Sequence, residues 1–356
     1  MKIGILGLPQ SGRRTVYGLL TGSKPPAEGE GKGPVVGVAP ILDPRFDDLV
    51  ARYRPKKETR ARFTLELLPA LEENAVREGA VFSDIAGTDA LLLVVREFGD
   101  DRVYHPKGSV DAARDVDAVV SELLLHDLIF IEKRLERIAE GKRRGRDERT
   151  EKEEHLMIKM RERLEGDLPL RTMELGDEER KLVSGYPLIT MKELVIALNA
   201  GEGDMKGSGS VGTIGRKYEG HGVTIARLSA RLEAEIAALD SPAERAEFMR
   251  ESGIEEPALS LLTRSCMAAL GLQSFFTVGE DEVRQWLILR GATAPEAAAA
   301  IHSDIQRGFI RAEVTKYGDL VALGSEDAVK KAGKALVMGR DYVVEDGDII
   351  SFRFNV

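Results

Sequence analysis

Residues 3–20 leave few architectures open. Ile3, Ile5 and Leu6 make a short apolar strand, Gly7 ends it, four residues pass, and Gly12 leads into helical spacing at Val16, Leu19 and Leu20. This is the spacing of G-x-x-x-x-G-K-[ST], a loop whose backbone N–H groups cradle phosphates at a helix N-terminus. In the intact motif the lysine reaches the β- and γ-phosphates and the Ser/Thr hydroxyl ligates Mg²⁺. Here Arg13 stands at the lysine position and Arg14 at the Ser/Thr position. The cradle survives that change, because it needs only the glycines and the turn. Metal ligation does not, because a guanidinium has no lone pair to give a cation.

A chain of 356 residues is long enough for about two or three domains, each with its own core. The net charge of −9, from 51 basic and 60 acidic residues, argues against a generally basic nucleic-acid binder and leaves room for a local basic patch. Cys266 is the single cysteine, which excludes a disulfide framework and suits a reducing cytosol. No apolar run approaches the roughly 20 residues of a membrane span. No signal peptide is visible, since the first apolar stretch runs straight into the glycine loop. A cytoplasmic, soluble protein is expected, with neither membrane nor DNA as partner.

Along the chain, strands are expected at Val35–Leu42, Arg62–Leu68, Ala90–Val95, Leu194–Leu198 and Val223–Ala226, alternating with helices over Phe46–Tyr53, Glu72–Ala86 and Ser229–Leu239. Gly201–Gly222 reads as a Gly/Ser-rich loop. The alternation predicts an α/β fold with a doubly wound, parallel-rich sheet. Val120, Leu124, Leu128, Ile131, Leu135 and Ile138 have heptad spacing, and Leu156, Met160 and Leu164 follow on a second helix. An antiparallel coiled-coil hairpin inserted into the sheet domain is predicted. Its tip, Lys142, Arg143, Arg144 and Arg146, is basic in an acidic protein. From about residue 274 short strands surround a helix over about residues 294–306, a small α+β module.

Several stretches together resemble the YchF/Obg-like ATPase family over nearly the whole chain. Leu272–Thr277, Gly291–Pro295, Ile301–Asp304, Arg307–Glu313, Asp346–Asp348 and Phe354–Val356 are similar to that family's TGS domain, whose fold is ubiquitin-like (β-grasp). Gly37–Pro40 with Asp43–Arg45, Glu233–Ile236, and Glu247–Met249 with Gly253 add to the resemblance. It implies an N-x-x-E base-recognition motif, associated with ATP rather than GTP, at Asn199 and Glu202. It also implies a last nucleotide loop at Ser229 and Ala230. With Gly7, Pro9, Gln10, Ser11, Gly12, Arg13, Arg14 and Thr15 these are the expected nucleotide-binding residues.

The family's D-x-x-G motif ends a strand and precedes a switch and a helix. Asp84–Gly87 matches its letters, but a strand from about Ala90 leaves no room for switch and helix. The place after Leu65–Leu68 is taken instead by Pro69-Ala70-Leu71-Glu72, and the threonine expected in the first switch falls at about Gly31. Arg14, Gly31 and Pro69 therefore remove the Mg²⁺-site side chains together. Phosphoryl transfer is mostly electrostatics around the metal, and losing one such contact costs roughly 10²–10³ in rate.

The resemblance thus implies a purine-nucleotide-binding regulator, ATP favoured over GTP, linked to ribosomes, translation or stress. Hydrolysis is expected to be weak or absent, with Arg13 and Arg14 neutralising phosphate in place of Mg²⁺. The domains expected are 1–115 with 188–271 for nucleotide, 116–187 for the hairpin and 272–356 for the TGS-like module. The basic tip reads as a solvated turn, or alternatively as a salt-sensitive contact to ribosomal RNA. His105, His126, His155 and His221 show no metal-ligand spacing, and His302 is assigned to packing or partner recognition on a helix. Two rivals stand beside this. An active ATPase would recover Mg²⁺ through Asp84, Glu72 or Glu73, and a scaffold would fill its own cradle with Arg13 or Gln10.

Overall fold

The computed structural model describes residues 1–26, 33–71, 80–142, 147–204, 209–239, 241–252, 254 and 256–355. Gly31, Glu72, Glu73, Arg143, Arg144, Arg146, Gly253 and Val356 lie outside them. The chain divides into two compact units, Met1–Ala39 with Thr64–Leu262, and Pro40–Phe63 with Thr263–Val356.

The first unit opens with β1 (Lys2–Leu6), α1 (Arg13–Thr21) and β2 (Val35–Pro40). The chain then contributes α2 (Pro44–Tyr53) and β3 (Lys57–Thr59) to the second unit before β4 (Arg62–Leu67) returns it to the first. There follow α3 (Ala80–Ala86), β5 (Ala90–Arg96), α4 (Ala112–Lys142), α5 (Glu148–Glu165), α6 (Asp177–Val183), β6 (Glu193–Asn199), α7 (Gly209–Lys217), β7 (Val223–Leu228) and α8 (Ala230–Ala238). The sheet order is β2-β4-β1-β5-β6-β7. β4, β1, β5, β6 and β7 pair in parallel. Every residue of β5 is buried, and every residue of β6 after Glu193. A parallel sheet covered on both faces needs such continuous apolar strands. The fold is the parallel-rich α/β class that the alternation predicts.

The heptad stripe of α4 turns inward. Val120, Leu124, Ile131 and Ile138 are buried with Leu156, Met157, Met160 and Leu164 of α5 in one core. Asp147 caps α5 by accepting from Thr150 N at 2.9 Å. Arg134 of α4 holds the Glu153 carboxylate with two bonds of 2.6 and 2.9 Å. At the base of the hairpin the fully buried Asp127 accepts from Ile189 N, Thr190 N and the Thr190 hydroxyl at 2.9, 2.7 and 2.7 Å.

The Gly201–Gly222 stretch is not all loop. α7 forms within it because Ile214 and Tyr218 reach the core with Val211 packed against it, and that burial outweighs the weak helix propensity of Gly and Ser.

After α9 (Pro242–Ser252) and α10 (Ala258–Ala269), the C-terminal part supplies β8 (Leu272–Thr277), β9 (Glu282–Leu289), α11 (Ala294–Ile301), α12 (Ser303–Arg307), β10 (Phe309–Lys316), α13 (Tyr317–Leu323), α14 (Glu326–Lys331), β11 (Leu336–Met338) and β12 (Asp348–Phe354). Its sheet order is β11-β10-β12-β8-β9-β3. Residues 40–63 group with this unit and not with the first sheet. β3 pairs in parallel with β9, Lys57 opposite Glu282. Phe46 and Leu49 of α2 are fully buried with Phe276, Val283, Leu320 and Ile349. Asp43 caps α2 by accepting from Arg45 N, with Pro44 in the first turn.

The helix expected over about 294–306 is two helices. His302 is extended, at φ −164° and ψ 142°, and caps α12 by accepting from Asp304 N through Nδ1 at 3.1 Å. Among the described residues no helix is long and apolar enough to cross a membrane. Cys266 is buried, and burial pushes its thiol up to about 12.

Candidate functional site

β1 lies between β4 and β5, so the loop that follows it sits at the carboxyl edge of the sheet, where ligands of open α/β sheets bind. Ser11 N closes a turn onto Leu8 O at 3.3 Å. Gln10 sits at φ 62° and Gly12 at φ 92°, conformations that favour glycine. A Cβ on Gly12 would strike the Asn199 side chain, and one on Gly7 would strike Val94 O. Gly12 begins α1 with no side-chain cap, leaving the helix start to backbone N–H groups that suit an anion. The Ser11 hydroxyl, in a side chain 2% exposed, is turned toward Gly7 and has no hydrogen-bond partner among the described residues.

Asn199 ends β6 and is buried. Its Nδ2 donates to Ser11 O at 3.1 Å and its Oδ1 accepts from Ala230 N at 3.0 Å. One amide thus ties the glycine loop to the start of α8, where buried Ser229 caps the helix by accepting from Leu232 N at 3.3 Å. Ser11, Gly12, Asn199, Ser229 and Ala230 are brought together. Glu202 is not aimed among them; its carboxylate meets Arg231 Nε at 2.6 Å.

Arg13 is 4% exposed, and its Nη1 donates to Leu68 O. Leu68 N donates to Ile5 O and Leu71 N to Gly7 O, each at 3.0 Å. The segment after β4 is thereby laced to β1 and the loop, with Pro69 exposed at the D-x-x-G place. Asp84 lies inside α3, where burial and the nearby Glu66 carboxylate raise its carboxyl above the usual range. Arg14 points the other way. Its Nη2 reaches Pro25 O at 3.4 Å, and with Thr15, Leu19, Lys24 and Ala237 it lines an open groove of about 590 Å³. Gln10 and Thr15 are exposed and Pro9 is half-buried.

Mg²⁺ does not fit these side chains. The side chains of Arg14 and Pro69 offer no oxygen to a hard cation. Among the described residues no cluster of three or more His, Cys, Asp or Glu gathers as a metal site.

A buried pair missed by sequence reasoning adjoins the loop. His105 Nε2 and Asp115 Oδ2 are 2.9 Å apart, and Lys107 N donates to His105 Nδ1 at 3.1 Å. The backbone donor assigns the proton to Nε2, which donates to Asp115. Asp115 also accepts from Arg114 at 3.0 and 2.9 Å. His105 and Asp115 share a small cavity with Leu8, Pro9, Ser11 and Arg96. His105 shows no metal-ligand spacing because its partner is a single carboxylate, Asp115.

A family model described as YchF-GTPase_C, "Protein of unknown function (DUF933)", matches residues 272–355. The chain is 36% identical over 366 residues to the "Ribosome-binding ATPase YchF" of Bacillus subtilis (strain 168), covering 99% of each protein. It is 36% identical over 369 residues to "Obg-like ATPase 1" of Oryza sativa subsp. japonica, covering 100% of this chain and 92% of that protein. The solved structure of the Schizosaccharomyces pombe YchF GTPase is similar, with a TM-score of 0.81, 29% identity, and 99% of this chain and 97% of that one covered. A GTP-binding protein from Pyrococcus horikoshii OT3 shares the fold, with a TM-score of 0.57 and 18% identity.

Proposed function

This chain belongs to the YchF and Obg-like ATPase family, and from that premise we propose that it is a nucleotide-binding, ribosome-associated regulator that hydrolyses nucleotide weakly or not at all. One observation carries the proposal: the loop keeps its glycines and its uncapped helix start, while the chemical positions hold Arg13, Arg14 and, after β4, Pro69. Phosphoryl transfer relies on a metal held between such positions. A purine nucleotide would rest on the loop N–H groups and the Ser11 hydroxyl without Mg²⁺, since Arg13 is engaged by Leu68 O and Arg14 reaches Pro25 O instead. ATP is favoured over GTP, because Glu202 stands where the GTP-binding motif has Asp and is engaged by Arg231.

By analogy with the names of its relatives, the partner is the ribosome. The hairpin formed by α4 and α5, with the basic stretch Lys142, Arg143, Arg144 and Arg146 where the two helices meet in sequence, and the C-terminal unit are the proposed contacts. The test is phosphate release from ATP and GTP, with and without ribosomes, beside calorimetric binding of both nucleotides. Binding with negligible turnover supports the proposal. Ribosome-stimulated, Mg²⁺-dependent turnover contradicts it.

A second reading is a scaffold that binds no nucleotide. It is favoured by the bond from buried Arg13 to Leu68 O, which engages that cation within the chain itself. It requires that Gly12→Asp leave function intact.

A further inference from the structure

We propose that the loop site recognises the diphosphate portion of a nucleotide and is blind to a third phosphate, because Arg13, at the position that would reach that phosphate, is held by Leu68 O instead. The inference rests on the nucleotide-binding reading above.

In a loop of this spacing the residue after the second glycine is the one that reaches the β- and γ-phosphates. Here that residue is Arg13, nine-tenths buried and donating to a main-chain carbonyl at the end of β4. The segment it meets does not wait for a ligand to order it. Leu68 N is bonded to Ile5 O and Leu71 N to Gly7 O. In switch proteins the terminal phosphate orders the segments around it and its loss releases them. Here main-chain bonds from β1 and the loop already fix Leu68–Leu71, so a terminal phosphate has less ordering left to do. The extra charge of a triphosphate also meets no metal-ligating side chain at Arg14 or Pro69.

What remains suits two phosphates. The first turn of α1 is uncapped, and the loop turns its buried Ser11 hydroxyl, unpartnered among the described residues, toward Gly7. Backbone N–H groups and one hydroxyl bind phosphate oxygens without regard to a further group downstream.

The experiment is titration calorimetry of the full chain with ATP, ADP and AMP in EDTA, with hydrogen exchange at residues 66–71 in each complex. The expected result is ATP and ADP dissociation constants within about threefold, AMP weaker by about tenfold or more, and exchange at 66–71 that does not distinguish ATP from ADP. ATP binding more than about tenfold tighter than ADP, or protection of 66–71 by ATP alone, would overturn the inference and leave the nucleotide reading standing. Failure of all three to bind would sink both. Arg13→Ala tests the cause: if the held Arg13 is what makes the site indifferent, the variant's ratio of ATP to ADP affinity shifts by more than about threefold toward ATP, and an unchanged ratio overturns the role given to Arg13.

Discussion

Asn199 Nδ2 donates to the carbonyl oxygen of Ser11 at 3.1 Å, joining the end of β6 to the glycine loop across 188 residues of sequence. The same amide accepts from Ala230 N, so one buried side chain sets the spacing of both loops of the candidate nucleotide site. Asn199→Ala would leave a buried donor and a buried acceptor unpaired, at a cost of about 1–3 kcal/mol for each group that finds no substitute. Asn199→Asp keeps the acceptor for Ala230 and loses the donor to Ser11. Urea unfolding should therefore rank wild type above the Asp variant at low pH, where its carboxyl can donate, and show a larger gap at neutral pH. Equal midpoints for all three proteins would show that the amide positions nothing.

Arg13 is expected to matter for stability before it matters for ligand. Arg13→Met keeps an apolar chain and removes the donor to Leu68 O, which should cost about 1–3 kcal/mol and speed hydrogen exchange in residues 66–71. Unchanged exchange there would show that Leu68–Leu71 is held without Arg13.

Residues 40–63 are predicted to be integral to the C-terminal unit. Phe46→Ala empties a site packed with Phe276, Val283, Leu320 and Ile349, and a buried Phe→Ala change costs about 3–5 kcal/mol. The loss should appear as lowered exchange protection in Leu272–Thr277 and Glu282–Leu289. Protection of both strands at the wild-type level would contradict the assignment.

The hairpin carries a pH prediction. Burial pushes the Glu153 carboxyl up, but Arg134 and the Tyr186 hydroxyl, at 2.6 and 2.5 Å, outweigh it, so the group titrates below its ordinary value. A depressed carboxylate adds stability that is fully present above its unfolded-state value, about 4.3. That stability is lost as pH falls through the lower folded value. Glu153→Gln should lower the urea midpoint at neutral pH and flatten its fall in acid. A midpoint that drops in acid as steeply as in wild type would assign the acid sensitivity elsewhere.

Much of this fold is legible in the sequence. β5 announces itself as an uninterrupted apolar run, and the stripe from Val120 to Ile138 gives the long helix, because burial on both faces or on one stripe is written locally. The short distance back from β5 also puts Asp84 in a helix and Pro69 just past the end of β4. Other features are decided by partners far along the chain. Phe46 and Leu49 look like any amphipathic helix until Phe276 and Ile349 are beside them. α7 hides among glycines because Val211 and Ile214 are its only apolar residues, with Tyr218 just past its end. The direction of Arg13 is a tertiary fact, since a guanidinium at that position can face phosphate or a carbonyl with equal chemical sense. The His105–Asp115 pair carries no motif, and only the packing of the loop against β5 makes it notable.

Whether this loop binds nucleotide without a metal is decided by the ATP affinity of the full chain, measured calorimetrically in Mg²⁺ and again in EDTA. Dissociation constants within about threefold of each other are expected. Binding about a hundredfold tighter in Mg²⁺ would mean that oxygen ligands other than Arg14 and Pro69 complete a metal site, and would contradict metal-free binding.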